Sequence, residues 1–179
     1  MIDPYVGGRR GYVTVKNEAG IIVASKNLVT YSGGDIIALL LGGQANYAIS
    51  HMYFAFQNIA SGATGFAPTR GDTASTFHNL VSPYDFLRAE NIQPPIWEAA
   101  DGNHTTNRVT FTCVAAAAQG VNGLPFGAGS NSHIVNLGLV AAPTEDYLDD
   151  FLYASYQLPT PLPVVGSGQI SATWATEAD

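Results

Sequence analysis

The chain has 179 residues, of which 46% are hydrophobic and only 12% charged, with a net charge of −7. Its few basic residues exclude a broad phosphate-binding surface, which needs clustered Lys and Arg. Its longest apolar runs fall well short of the roughly 20 residues of a membrane-spanning helix, and a single cysteine, Cys113, excludes an intrachain disulfide. The expected partners are therefore other proteins, with no nucleic acid and no membrane.

Residues 1–10 read as an N-terminal arm, because Pro4, Gly7 and Gly8 interrupt regular structure. Tyr5, Val6, Arg9 and Arg10 are its candidate partner-contact residues. Met1-Ile2-Asp3-Pro4 runs into glycines rather than an apolar stretch, so no signal-peptide pattern is expected. Residues 11–179 read as one domain, long enough to bury about 70% of the surface exposed by the unfolded chain.

Residues 11–29 predict a β-hairpin. Tyr12 to Lys16 alternates, Asn17-Glu18-Ala19-Gly20 is a turn with Gly20 free to take positive φ, and Ile21 to Ala24 returns. A short helix follows near residues 32–41. Ser32 is its candidate cap, Asp35 complements its N-terminus, and Gly42-Gly43 stops it. Because it is apolar nearly all round, it is expected to be buried on most sides.

Strands dominate thereafter. Ile49 to Phe56 predicts a strand with two apolar faces. Residues 57–107 carry many Gly and Pro and read as a long irregular insert, either folded over the core or forming a contact surface. Arg108 to Val114 is an amphipathic strand with Val109, Phe111 and Cys113 on one face. His133 to Val140, Phe151 to Gln157 and Gln169 to Thr176 are further strands. Pro159, Pro161 and Pro163 suit an extended crossover at a sheet edge. The fold class is all-β, mainly an antiparallel β-sandwich of jelly-roll-like character, with that one helix.

A search for chemistry yields little. His51, His78, His104 and His133 lack metal-ligand spacing, and Cys113 has no CxxC partner. No nucleophile-elbow or phosphate-loop pattern occurs. Glu145, Asp146, Asp149 and Asp150 cluster without EF-hand spacing and read as a solvated loop rather than a calcium site. Arg70-Gly71-Asp72 and Asn103-His104-Thr105 match short motifs that arise often by chance. Catalytic residues, metal ligands and cofactors are thus all expected to be none, and the chain is expected not to be an enzyme. An exposed aromatic such as Trp97 would be needed for a carbohydrate-binding module, whereas Trp174, beside Ile170 and Ala172 in its strand, reads as core.

The run Asn27-Leu28-Val29-Thr30, then Gly33, Ile36-Ile37-Ala38-Leu39-Leu40, Gly42-Gly43 and Met52-Tyr53-Phe54 resembles virion structural proteins of tailed bacteriophages. In those, a hairpin ends in an Asn-x-Val/Ile-Thr corner, and a short helix and a strand follow. Leu137-Gly138-Leu139-Val140, an acidic loop, a proline-rich turn and a last strand through Trp174 extend the likeness, while residues 57–107 match nothing in it. The resemblance implies a non-enzymatic, virion-located structural protein. A capsid decoration (cement) protein is the leading expectation, stabilising the shell as a homo-oligomer in contact with the major capsid protein during viral assembly. A tail, neck, baseplate or fibre component is the alternative, and a carbohydrate-binding β-sandwich module is the weaker one. Nine tyrosines and eight phenylalanines suit a contact protein, since aromatic rings bury area at low entropy cost.

Overall fold

Alternation of apolar and polar residues through Tyr12-Val13-Thr14-Val15-Lys16 builds the first strand, β1 (Arg9–Asn17). The computed structural model describes residues 9–26, 28–59, 62, 64–90, 93–99, 102 and 106–178. The chain turns where Gly20 takes φ +79° and Ile21 N–H donates to Asn17 Oδ1 at 3.0 Å. It returns as β2 (Ile22–Lys26) and crosses to the other sheet as β3 (Leu28–Val29). Helix α1 (Tyr31–Leu41) follows. Its cap is Thr30, whose hydroxyl accepts from Gly33 N–H at 3.1 Å and donates to Leu152 O at 2.6 Å. The same side chain thus starts the helix and ties it to the sheet. Gly33 lies against the Tyr153 carbonyl, where a Cβ would come within 2.5 Å of the oxygen.

The remaining elements are β4 (Ile49–Gln57), α2 (Ala74–His78), β5 (Tyr84–Glu90), β6 (Ile96–Glu98), β7 (Arg108–Ala115), β8 (Ala118–Gln119), β9 (Pro125–Phe126), β10 (His133–Ala141), β11 (Phe151–Pro163) and β12 (Ile170–Ala178). The first five-stranded sheet has the order β2-β1-β12-β7-β6, and the second β3-β11-β10-β4-β5. A two-stranded β8-β9 ribbon stands beside them. All pairings are antiparallel. Edges switch sheets twice, from β2 to β3 and from β5 to β6. The outer pair β7/β12 lies in one sheet while the β10/β11 hairpin between them in sequence lies in the other. The fold is an all-β sandwich carrying one substantial helix.

Two apolar cores result. The main one lies between the sheets and joins Met52, Phe54 and Phe56 of β4 to Val13, Val15, Phe111, Cys113, Ile170, Ala172 and Trp174 of the facing sheet. Ile36 and Ile37 of α1 reach into it, so the helix closes one end of the sandwich. The second core lies on the outer face of the second sheet, where Tyr53, Ala55, Phe86, Val135, Val140 and Leu152 are covered by Ala74 and Phe77 of α2. Each fully buried large side chain contributes about 1.5–3 kcal/mol. The two apolar faces of β4 are thus explained: its sheet is buried on both sides.

The second core depends on the segment that reads as an irregular insert. Asn136 pins it by pairing with the backbone of Phe66: Phe66 N–H donates to Oδ1 at 3.0 Å, and Nδ2 donates to Phe66 O at 2.7 Å. Gln157 Nε2 donates to Thr64 O nearby. A bulge between Ile134 and Asn136 lets both Val135 and Asn136 serve this outer face. Gly138 is closely packed: a Cβ there would come within 2.9 Å of Leu152 Cδ1 and 3.0 Å of the Phe77 ring, so both would have to shift.

Several expectations are corrected. The strand begins at Arg9, so Arg9 and Arg10 belong to β1, where their backbones pair with Ala178 and Glu177. Tyr5 and Val6 lie outside the described residues. Residues 57–107 are not one irregular insert, since they supply α2, the edge strand β5 and the edge strand β6. The helix is capped by Thr30 rather than Ser32, and it buries only Gly33 and Ile36. It is not buried on most sides: Leu41 is 85% exposed, because the helix lies across the end of the sandwich rather than inside it. The prolines sit within β11, on the stretch beyond its short pairing with β3, which is an edge position.

Candidate contact surface

The two sheets differ in what covers them. The second is clothed on its outer face by the chain's own segment; the outer face of the first has no covering element among the described residues. Register places Thr14, Thr173 and Thr112 directly opposite one another across β1, β12 and β7. Tyr12, Ala175, Thr110 and Ile96 form the next row. The first row is uncharged, and the second carries a charged residue only on β2, where Lys26 pairs with Tyr12. Further charge lies at the two ends of the face: Lys16 at one, and the row Glu98, Arg108 and Glu177 at the other. At strand spacings of about 4.8 Å and rises of about 3.3 Å per residue, five strands present a footprint of roughly 600 Å². That approaches the ~800 Å² each partner contributes to a standard interface.

The helical end of the sandwich adds apolar area. Leu40 and Leu41 on α1 are exposed, and Trp97 on β6 is 66% exposed. A pocket of about 280 Å³ is lined by Ile37, Trp97, Thr106, Asn107, Arg108, Val109, Tyr153, Thr176 and Glu177. Arg108 is fixed by its cross-strand neighbours. Its Nε donates to Glu177 Oε1 at 2.7 Å, its Nη2 donates to the same oxygen, and its Nη1 donates to Glu98 Oε1 at 3.2 Å. Trp174, by contrast, is fully buried in the main core.

Several buried polar groups elsewhere are engaged structurally. Asp150 is fully buried and receives Arg88 in a two-pronged pair, Nε at 2.8 Å and Nη2 at 3.0 Å. Arg88 Nη2 also donates to Thr144 O at 2.8 Å. Tyr53 donates its hydroxyl to Asp150 and lies 3.1 Å from His78 Nε2. Burial, and then the Asp150 carboxylate, push the Tyr53 phenol well above its ordinary range. Burial pulls the Arg88 guanidinium down, but the hydrogen-bonded Asp150 outweighs it and holds the group above its usual value. Burial lowers His78, with Asp150 and Asp146 opposing. Of the acidic loop, Glu145, Asp146 and Asp149 are exposed, and Asp150 is the buried exception. Asp146 accepts from Leu148 N–H at 3.0 Å, and Asp149 accepts from the Thr144 hydroxyl at 2.8 Å. No group of three or more His, Cys, Asp or Glu among the described residues could hold a metal.

Cys113 is buried, and burial pushes its thiol up to about 12, so it is a core group rather than a nucleophile. The buried Asp85 carboxylate accepts from Asn122 N–H at 2.9 Å and Leu124 N–H at 3.0 Å and so shapes the loop before β9. In Arg70-Gly71-Asp72, Asp72 accepts from Thr69 N–H and hydroxyl at 2.9 and 2.7 Å, and Arg70 O accepts from Tyr31 N–H at 2.8 Å. That tripeptide is part of the docking of its segment onto α1. His104, with its Asn103-His104-Thr105 motif, lies outside the described residues.

No protein family, curated protein or solved structure matches this chain.

Proposed function

We propose that this chain is a non-enzymatic structural protein of a tailed-phage particle, a capsid decoration protein that stabilises the shell through contacts with its own copies and with the major capsid protein. The observation that carries this reading is the asymmetry of the two sheets. One is buried on both faces within the chain, while the other leaves a broad face, with two rows uncharged on its central strands, bare among the described residues. A face of that kind suits association by complementary packing, and a chain with 12% charge has few charged groups to desolvate on assembly. Its nucleophilic and acid–base groups support a structural role: Cys113 is inert in the core, and Arg88, Asp150 and Tyr53 satisfy one another.

Imaging of the particle tests the assignment. Density for this chain over the shell is the expected result, together with particles that lose heat stability when the chain is deleted. Density on the tail, or deletion particles as stable as the parent, would refute it. Thr173→Glu places a charge in the middle of the bare face without touching the core. It should leave the fold intact and abolish attachment to the shell.

A further inference from the structure

We propose that the free edge of β2 pairs with the β2 edge of a second copy, antiparallel and about a two-fold axis at Ala24, joining the first sheets of two chains into one. This specifies the contact between copies in the function proposed above and rests on that reading. The register shows which backbone groups are free. Asn17 N–H donates to Ile21 O at 3.2 Å, so Asn17 and Ile21 are a hydrogen-bonded pair. Alternation along an antiparallel ladder then gives the remaining β1–β2 bonds to Val15 with Val23 and Val13 with Ser25. Ile22, Ala24 and Lys26 therefore turn their N–H and C=O groups away from β1, towards a side that no strand occupies among the described residues. The other sheet edges are guarded. On β5, Phe86 O accepts from Val121 N–H at 2.9 Å and Ala89 O accepts from the Cys113 thiol at 3.3 Å. The part of β11 beyond β3 lacks donors at Pro159, Pro161 and Pro163. β3 has two residues, and β6 has three and follows Pro94-Pro95. β2 offers five consecutive residues without a proline, beside Ile21 and Ile22, which are 48% and 58% exposed. Self-pairing suits this strand. Ala24 opposite its own copy brings only two methyl groups together, and Ala24 is exposed. The same register sets Ile22 opposite Lys26 of the second copy, so the two lysines stand at opposite ends and like charges never face. Ile22, Ala24 and Lys26 of both copies then exchange about six hydrogen bonds. Because the axis is perpendicular to the sheet, the bare outer faces of both copies point the same way, as a shared shell requires.

A five-residue edge buries far less than the ~800 Å² per partner of a standard interface, so the pair should form at micromolar to millimolar concentration. Small-angle X-ray scattering of the full chain from ~10 μM to ~1 mM should show the mass rise from one chain towards two. Ala24→Pro removes an outward N–H and no β1–β2 bond, so it should keep the thermal midpoint within a few degrees and hold the chain monomeric. Ile22→Lys, at an exposed position, sets a lysine opposite Lys26 of the second copy and should weaken pairing about tenfold; it serves if the proline variant fails to fold. Register is read with a short bis-maleimide. Cys113 is buried, so the parent should not react, and Ala24→Cys should crosslink at least tenfold faster than Ala19→Cys, an exposed position in the β1–β2 turn, far from the axis. A mass of one chain at ~1 mM, pairing that survives both Ala24→Pro and Ile22→Lys, or equal crosslinking at the two positions would each overturn the proposal. A chain that attaches to shells yet stays monomeric sinks this proposal alone, whereas one that pairs through Ala24 but never attaches sinks only the shell assignment.

Discussion

Phe77→Ala asks whether the segment around α2 is a structural layer or a loosely attached flap. Phe77 is fully buried. Its ring centroid lies 5.2 Å from those of both Tyr53 and Phe66 and 6.5 Å from that of Phe86. It also fills the space above Gly138. Removing such a ring from a packed site costs about 3–5 kcal/mol, transfer and cavity terms together. For a chain of this size each kcal/mol lowers the midpoint by about 2–4 °C, so a fall of roughly 6–20 °C follows. Urea unfolding gives the free energy, and amide exchange locates the loss. If the layer is integral, the whole transition shifts and protection falls in β4 and β10 as well as in α2. A loss below about 1 kcal/mol, with exchange raised only in the segment itself, would refute the reasoning, because the second core would then add little to global stability.

Other perturbations test separate joints. Thr30→Ala should cost about 1 kcal/mol or more as a lost helix cap, and Ser32→Ala should be nearly neutral; the reverse order in thermal melts would reassign the cap. Arg88→Met leaves Asp150 buried without its partner and should cost about 3–5 kcal/mol. Adding Asp150→Leu should recover much of that, and a double-mutant cycle showing simple additivity would contradict the pairing. Burial lowers the protonation of both His51 and His78 in the folded chain, whereas unfolded histidine takes up its proton near 6.5. Below that pH the unfolded state binds more protons, so stability should fall as the pH drops from 7 towards 5.5. Unfolding midpoints across that range check the sign, and replacing both histidines by glutamine should flatten the slope.

Local signals carried much of the sandwich. The alternation in Tyr12 to Lys16 and in Arg108 to Val114 identifies strands because one face of each looks into the main core. Gly20 and Gly43, at φ +79° and +84°, mark ends of elements through backbone conformation, which needs no tertiary partner. The two apolar faces of Ile49 to Phe56 already imply a second layer, although not which segment provides it. The helix was placed to within one residue at its start. Thr30 and Ser32 both carry hydroxyls, and only the distant carbonyls of Leu152 and Tyr153 select Thr30 as the cap.

What stayed hidden is what depends on partners far along the chain. Tyr84-Asp85-Phe86-Leu87-Arg88 reads by itself as a strand or one helical turn, and its burial as a strand depends on Asp85 meeting Asn122 and Leu124 and on Arg88 meeting Asp150. Each polar side chain removes the other's cost of burial, and no spacing within five residues encodes that. Asp150 shows the same blindness from the other side. Within the acidic loop it is indistinguishable by type from Asp149, yet one is fully buried and the other exposed, because only Asp150 stands across from Arg88. The apolar helix misleads in the opposite direction. Leu40 and Leu41 satisfy every local criterion for burial, yet Leu40 is partly exposed and Leu41 is 85% exposed. An apolar residue left bare at a structured end, like the uncharged rows of Thr14, Thr112 and Thr173, costs solubility without a gain in the isolated fold. Together they are what a chain that completes its packing on a neighbour would be expected to retain.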